Sequence, residues 1–164
     1  MAAHRVILGI SSGTRSIGLA VIRNGELVDW NVKTFKGEWS KDKLKYIMHK
    51  LESICDYCQV TTIALKKVDP SKGSRPLEVL TAHIAKLACG KRIPIVAYSI
   101  YDLHSVTDER YRSAKKSIGE YVLDTYPRLR QEYLKERNNK REYYTKMFEA
   151  VLCAHLRNEK EVEV

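Results

Sequence analysis

The chain has 164 residues and a net charge of +9, from 29 Lys and Arg against 20 Asp and Glu. That length suits one domain with a real core, and no apolar run nears the roughly 20 residues that cross a bilayer, so no membrane partner is expected. Met1 to Arg5 holds no apolar segment of a signal peptide, which points to the cytoplasm, and the excess of basic charge favours a polyanion, most commonly nucleic acid.

Val6 to Ile10 is an uninterrupted apolar run, the mark of a strand buried on both faces. A tight Gly-Thr turn and a second apolar run, Ile17 to Ile22, follow. Asn24-Gly25 is a two-residue hairpin signal. The third strand alternates, with Val28, Trp30 and Val32 on one side and Asp29, Asn31 and Lys33 on the other. A helix then runs from an N-cap at Ser40, with Leu44, Ile47, Met48, Leu51, Ile54, Cys55 and Cys58 at helical spacing.

Val60 to Leu65 reads as a fourth strand, and Asp69-Pro70 with Lys72-Gly73-Ser74 as a loop. A second helix carries Leu77, Leu80, Ile84, Leu87 and Ala88 and stops at Gly90. Ile93 to Tyr98 is the fifth strand. From about Asp108 the chain reads as helical: one segment to Tyr126, a break at Pro127, and a stretch from Leu129 to Arg157 interrupted near Asn138-Asn139. The order βββ-α-β-α-β followed by helices makes an α/β fold with a mixed five-stranded sheet, three strands antiparallel and the later ones parallel, and helices on both faces. Residues 1–158 form one domain on this reading, with 159–164 a polar, frayed tail.

Cys55 and Cys58 form a CxxC, but no second pair stands at zinc-ligand spacing, and both continue the apolar stripe of the first helix. The four cysteines, Cys55, Cys58, Cys89 and Cys153, read as reduced thiols. His4, His49, His83, His104 and His155 show no paired metal-binding spacing, so no metal ligands are assigned. Residues 108–146 hold eleven Lys or Arg, seven acids and six of the ten tyrosines. Such a segment serves equally to contact phosphates and stack on bases or to pack tyrosines in a helical seam.

The segment Ile7-Leu8-Gly9-Ile10-Ser11-Ser12-Gly13-Thr14-Arg15-Ser16-Ile17-Gly18-Leu19-Ala20-Val21 resembles the first hairpin of the RuvC-type Holliday-junction resolvases and the related YqgF-type proteins of the ribonuclease-H-like superfamily. The resemblance covers about residues 5 to 157 and implies a ribonuclease-H-like fold. It also implies a metal-dependent nuclease site, and there this chain departs from the pattern. Ser11 stands where the family has an Asp. Lys66 follows Ile63-Ala64-Leu65 where the family has a Glu. In the last helix, Lys146 and Glu149 fall on a pair of family positions three residues apart, only the second of them an acid. A shifted register would place Tyr144 and Met147 there instead; the apolar positions after Glu149 favour the first.

Two-metal catalysis needs charged oxygen ligands around the ions. A hydroxyl supplies no charge, and an ammonium repels each unit of cation charge by about 4 kcal/mol at contact distance for an effective dielectric near 20. The substitutions therefore predict no catalytic residue in the usual sense and no cofactor, with magnesium required only if the chain is a nuclease after all. The Lys66 ammonium is expected either to occupy the metal's space and pair with Glu149 or, with Lys67, simply to solvate a strand end.

The leading expectation is a catalytically impaired RuvC-like domain that binds nucleic acid, DNA before RNA, or a partner protein. Arg15, Lys66, Lys67, Arg75, Lys115 and Lys116 are the candidate phosphate contacts. One alternative is a structure-selective endonuclease of recombination or repair using Asp69, Glu78 and Glu149. Another is a structural or dimerisation module, since many resolvases of this kind are homodimers. Gly9-Ile10-Ser11-Ser12-Gly13 also matches a hydrolase nucleophile elbow, with Asp102 and His155 as nominal partners, but an elbow needs a helix where Ile17 to Ile22 reads as a strand. The same turn resembles the phosphate hairpin of actin-like ATPases, which need two such domains where this chain has length for one.

Overall fold

The computed structural model describes residues 4–107, 114–138 and 143–163, apart from the side chains of residues 114–117. Five strands, β1 (Val6–Ser11), β2 (Ser16–Arg23), β3 (Glu26–Thr34), β4 (Thr62–Lys66) and β5 (Ile95–Tyr98), form one sheet in the order β3-β2-β1-β4-β5. β1 pairs antiparallel with β2, and β2 with β3, while β4 runs parallel to both β1 and β5. The mixed sheet and its helix-covered faces are those the sequence implies. Asn24 and Gly25 both take positive φ at the β2–β3 turn, 48° and 86°, as a two-residue hairpin demands.

The strands divide their side chains by parity, which decides everything about the site. Leu8 and Ile10, Leu19 and Val21, and Ile63 and Leu65 point to one face and bury against α1 (Lys41–Cys58) and α2 (Arg75–Gly90) through Ile47, Leu51, Cys55, Leu80, Ile84 and Ala88. Ile7, Ala20, Ile22 and Ala64 point to the other, against α3 (Ile100–Thr107), α4 (Ala114–Thr125) and α6 (Thr145–Glu163). A 3-10 turn, Pro127–Leu129, and α5 (Arg130–Asn138) connect α4 towards α6.

α6 lies unusually close to the sheet because the residues beneath it have little or no side chain. A Cβ added to Gly9 would sit 2.0 Å from the Ala150 carbonyl oxygen, and one on Gly18 would sit 2.1 Å from that of Lys146. Only glycine permits this approach. The apolar turns of α6 from Met147 to Ala154 are in consequence wholly buried.

Four expectations need correction. Val28 does not share a face with Trp30 and Val32. The register slips between Val21 and Ile22, so that Ile22 pairs with Leu27 and Val21 with Asp29. Leu27 takes the interior place and Val28 is 40% exposed, which is what an extra residue in one strand does. The fifth strand begins at Ile95 rather than Ile93, because Ile93 N–H is spent on the Ala88 carbonyl at the end of α2. Helix resumes at Ile100, not near Asp108: Asp102 N–H donates to Ser99 Oγ while Ser99 N–H donates to Asp102 Oδ2, a capping box that starts α3. Finally, α6 continues past Arg157 to Glu163, held there by pairs from Arg5 and Arg157 to Glu161 and by a Thr62 hydroxyl donated to the same carboxylate.

Candidate nucleic-acid interface

Ser11 ends β1 on the face that α6 covers, two residues beyond Gly9. Parallel pairing sets Leu65 beside Ile10, so Lys66 leaves β4 beside Ser11 and on the same face. Lys146 and Glu149, three residues apart on α6, share one side of that helix. Four side chains from three elements therefore meet at the carboxyl ends of two parallel strands, where open α/β sheets characteristically bind ligands.

Glu149 is the centre. Its Oε1 accepts from Ser11 Oγ at 3.2 Å, and its Oε2 lies 2.5 Å from Lys66 Nζ. The Ser11 side chain is fully buried and the Glu149 side chain 6% exposed, while 21% of the Lys66 side chain reaches solvent. Lys146 donates to the Ser12 carbonyl at 3.2 Å, its stem lying along the Cβ-free side of Gly13. Ser12 Oγ is buried and has no hydrogen-bond partner among the described residues. Below the pair sits Cys153, whose thiol burial pushes far above its ordinary value, the Glu149 charge adding to the shift.

The remaining candidates fall into two groups. Arg15 is exposed in the β1–β2 turn, Lys67 is exposed just past β4, and Arg75 is exposed at the first residue of α2. Lys115 and Lys116 belong to α4, and their side chains lie outside the described ones. The three acids nominated for a nuclease are not gathered. Asp69 accepts from the backbone and hydroxyl of Ser71 within its own turn, which with Lys72 and Lys66 nearby holds its carboxyl below the ordinary range. Glu78 is exposed on the first turn of α2. Among the described residues no three of His, Cys, Asp and Glu come close enough to hold a metal ion.

The hydrolase arrangement is absent: a strand, β2, follows Ser11, whose hydroxyl serves Glu149, while Asp102 caps α3. His155 bonds elsewhere. The Tyr126 hydroxyl donates to its Nδ1 at 2.8 Å, and its Nε2 donates to Glu159 at 3.1 Å. Burial lowers the His155 pKa despite the Glu159 carboxylate, and raises that of Tyr126 to about 12. Of the six tyrosines in the basic segment, Tyr121, Tyr126, Tyr133 and Tyr144 pack against the α6 core, whereas Tyr143 is 46% exposed. Cys55 is core, its thiol raised by burial to about 11. No helix among the described residues is long and apolar enough to cross a membrane.

No protein-family model matches the chain, and no curated protein sequence does. Solved structures do. RuvC from Thermus thermophilus superposes with a TM-score of 0.70 at 14% identity, covering 96% of this chain and 96% of that one. T. thermophilus RuvC in complex with Holliday junction substrate gives 0.69 over the same shares. At that identity the likeness concerns architecture: the chain has the RuvC-like, ribonuclease-H-like fold.

Proposed function

We propose that residues 1–158 form a RuvC-like domain that binds nucleic acid, DNA in the first instance, and that has exchanged metal-dependent cleavage for a metal-free, charge-paired site. The observation that carries this reading is the ion pair of Lys66 with Glu149, with Ser11 on the other carboxylate oxygen. This donor set does not fit a divalent ion. Such an ion wants several charged oxygens, and the one buried carboxylate here is already satisfied by an ammonium and a hydroxyl. Binding draws support from the net charge of +9, from the exposed Arg15, Lys67 and Arg75, and from the fold shared with a protein solved on a Holliday junction.

The test is incubation with branched and linear DNA, with EDTA and then with magnesium or manganese. Salt-sensitive binding that survives EDTA, with no cleavage under either metal, is the expected result. Cleavage lost in Glu149→Ala would replace this reading by a nuclease. Absence of binding at low salt would replace it by a structural module.

A further inference from the structure

We infer that the outer face of α1 is a second nucleic-acid surface, on which a single strand stacks bases on Tyr46 and Tyr57 and sets its phosphates against lysines. The inference rests on the nucleic-acid reading above but uses the other side of the molecule. α1 packs on the sheet face opposite to the one that carries α6 and the Ser11 site.

The chain concentrates its positive charge here. From Lys33 to Lys50 it carries six lysines against two acids, Glu38 and Asp42, so this one stretch supplies +4 of the net +9. All of these lysines except Lys43 are exposed, and Lys43 donates to the Gly37 carbonyl. The acids further along α1 do not oppose them, because Glu52 and Asp56 are drawn to Lys91 at the end of α2, at 3.7 and 2.6 Å.

Two aromatic rings stand in the same surface. Tyr46 is 54% exposed and Tyr57 90%, the latter more than any other large hydrophobic side chain among the described residues. Eleven residues make three turns of a helix, so the rings share one stripe about 17 Å apart, with Lys50 and Ser53 between them. Phe35 meets the Tyr46 ring almost at right angles and steadies it. The Lys50 ammonium already sits 5.3 Å from the centre of that ring. Rings interleaved with cations suit a single strand, whose bases offer π-faces and whose phosphates take the charge. Duplex DNA keeps its bases stacked inside, so it gains from the lysines but not from the rings. The stripe holds no aliphatic residue and is flanked by lysine, the reverse of a protein–protein interface core.

The test compares an oligothymidine single strand with a duplex of equal length, in EDTA. Tyr46→Ala/Tyr57→Ala is expected to weaken single-strand binding about tenfold or more, with duplex affinity and the salt slope as in the wild type. Tyr57→Phe, which keeps the ring, is expected to bind as the wild type does. Lys50→Ala is expected to lower the single-strand salt slope by about 0.7, the value for one phosphate contact. Single-strand binding unchanged in the double tyrosine variant would overturn the surface while leaving the nucleic-acid reading standing, and so would an equal loss on duplex. Failure of the wild-type protein to bind either DNA at low salt would remove both. If the double variant is unfolded, Tyr57→Ala decides, since so exposed a ring carries little of the fold: single-strand binding equal to wild type counts against the surface.

Discussion

Glu149→Gln leaves the Lys66 ammonium without its counter-charge in a largely buried position. Removing one partner of a buried pair costs more than the pair itself contributes. A loss of about 3 kcal/mol in chemical denaturation is expected, the low end of the range because Lys66 keeps some solvent. Replacing both residues by methionine is expected to return most of that loss, giving a coupling of about 2 kcal/mol in a double-mutant cycle. A second residue-scale prediction concerns pH. Burial lowers the pKa of His155 from 6.5, so below that value the unfolded chain takes up a proton that the folded one refuses. Stability should therefore fall as pH drops from about 7 through 6.5 towards the folded value. His155→Gln is expected to flatten that part of the profile, measured as denaturation midpoint against pH.

At the scale of elements, α6 is the structural hinge of the account, since it alone presents Lys146 and Glu149 to the sheet. Gly9→Ala or Gly18→Ala would drive a methyl into helix backbone that has no flexible end to yield. Each should destabilise by about 3 kcal/mol or more, at the top of the usual overpacking range, read as a lowered thermal midpoint. The start of α6 has its own anchor. Glu136 accepts from the backbone N–H groups of Tyr143 and Tyr144 and from the Thr145 hydroxyl, a carboxylate set against a helix N-terminus. Glu136→Ala should cost about 1–2 kcal/mol, as a lost cap does.

Much of this was legible in the chain. Continuous apolar runs announced the buried strands and Asn24-Gly25 the hairpin; of the expected break at Asn138-Asn139, Asn138 ends α5 and Asn139 lies outside the described residues. The glycines at 9 and 18 were visible as residues, but their purpose was not, because it depends on a helix more than a hundred positions away. The bulge at Val28 was hidden for a similar reason: strict alternation assumes an unbroken ladder, and only the pairing partner reveals the slip. α3 could have been found from Ser99 and Asp102, whose spacing is that of a capping box. At the site, the Lys66–Glu149 contact is one of the two arrangements that the family positions imply, the other being Lys66 and Lys67 solvating a strand end. The engagement of Lys146 with the Ser12 carbonyl was not legible, since a long flexible side chain leaves no trace of its direction in sequence.

The whole molecule combines a RuvC-like frame with a Lys66–Glu149 ion pair at the carboxyl ends of β1 and β4. Parity of the strands, the glycine-permitted approach of α6 and the parallel pairing of β1 with β4 bring Ser11, Lys66 and Glu149 together. The same arrangement with acids at the first two positions would present three carboxylates to one point, which is a description of a divalent-ion site. Ser11→Asp/Lys66→Glu should accordingly acquire divalent-ion binding, seen as thermal stabilisation by manganese. Manganese titration of the unaltered protein, followed by calorimetry or by the resonance of the free ion, is the most direct test. The account predicts no saturable uptake at this site. A saturable manganese ion lost on Glu149→Gln, in a protein still folded, would contradict it.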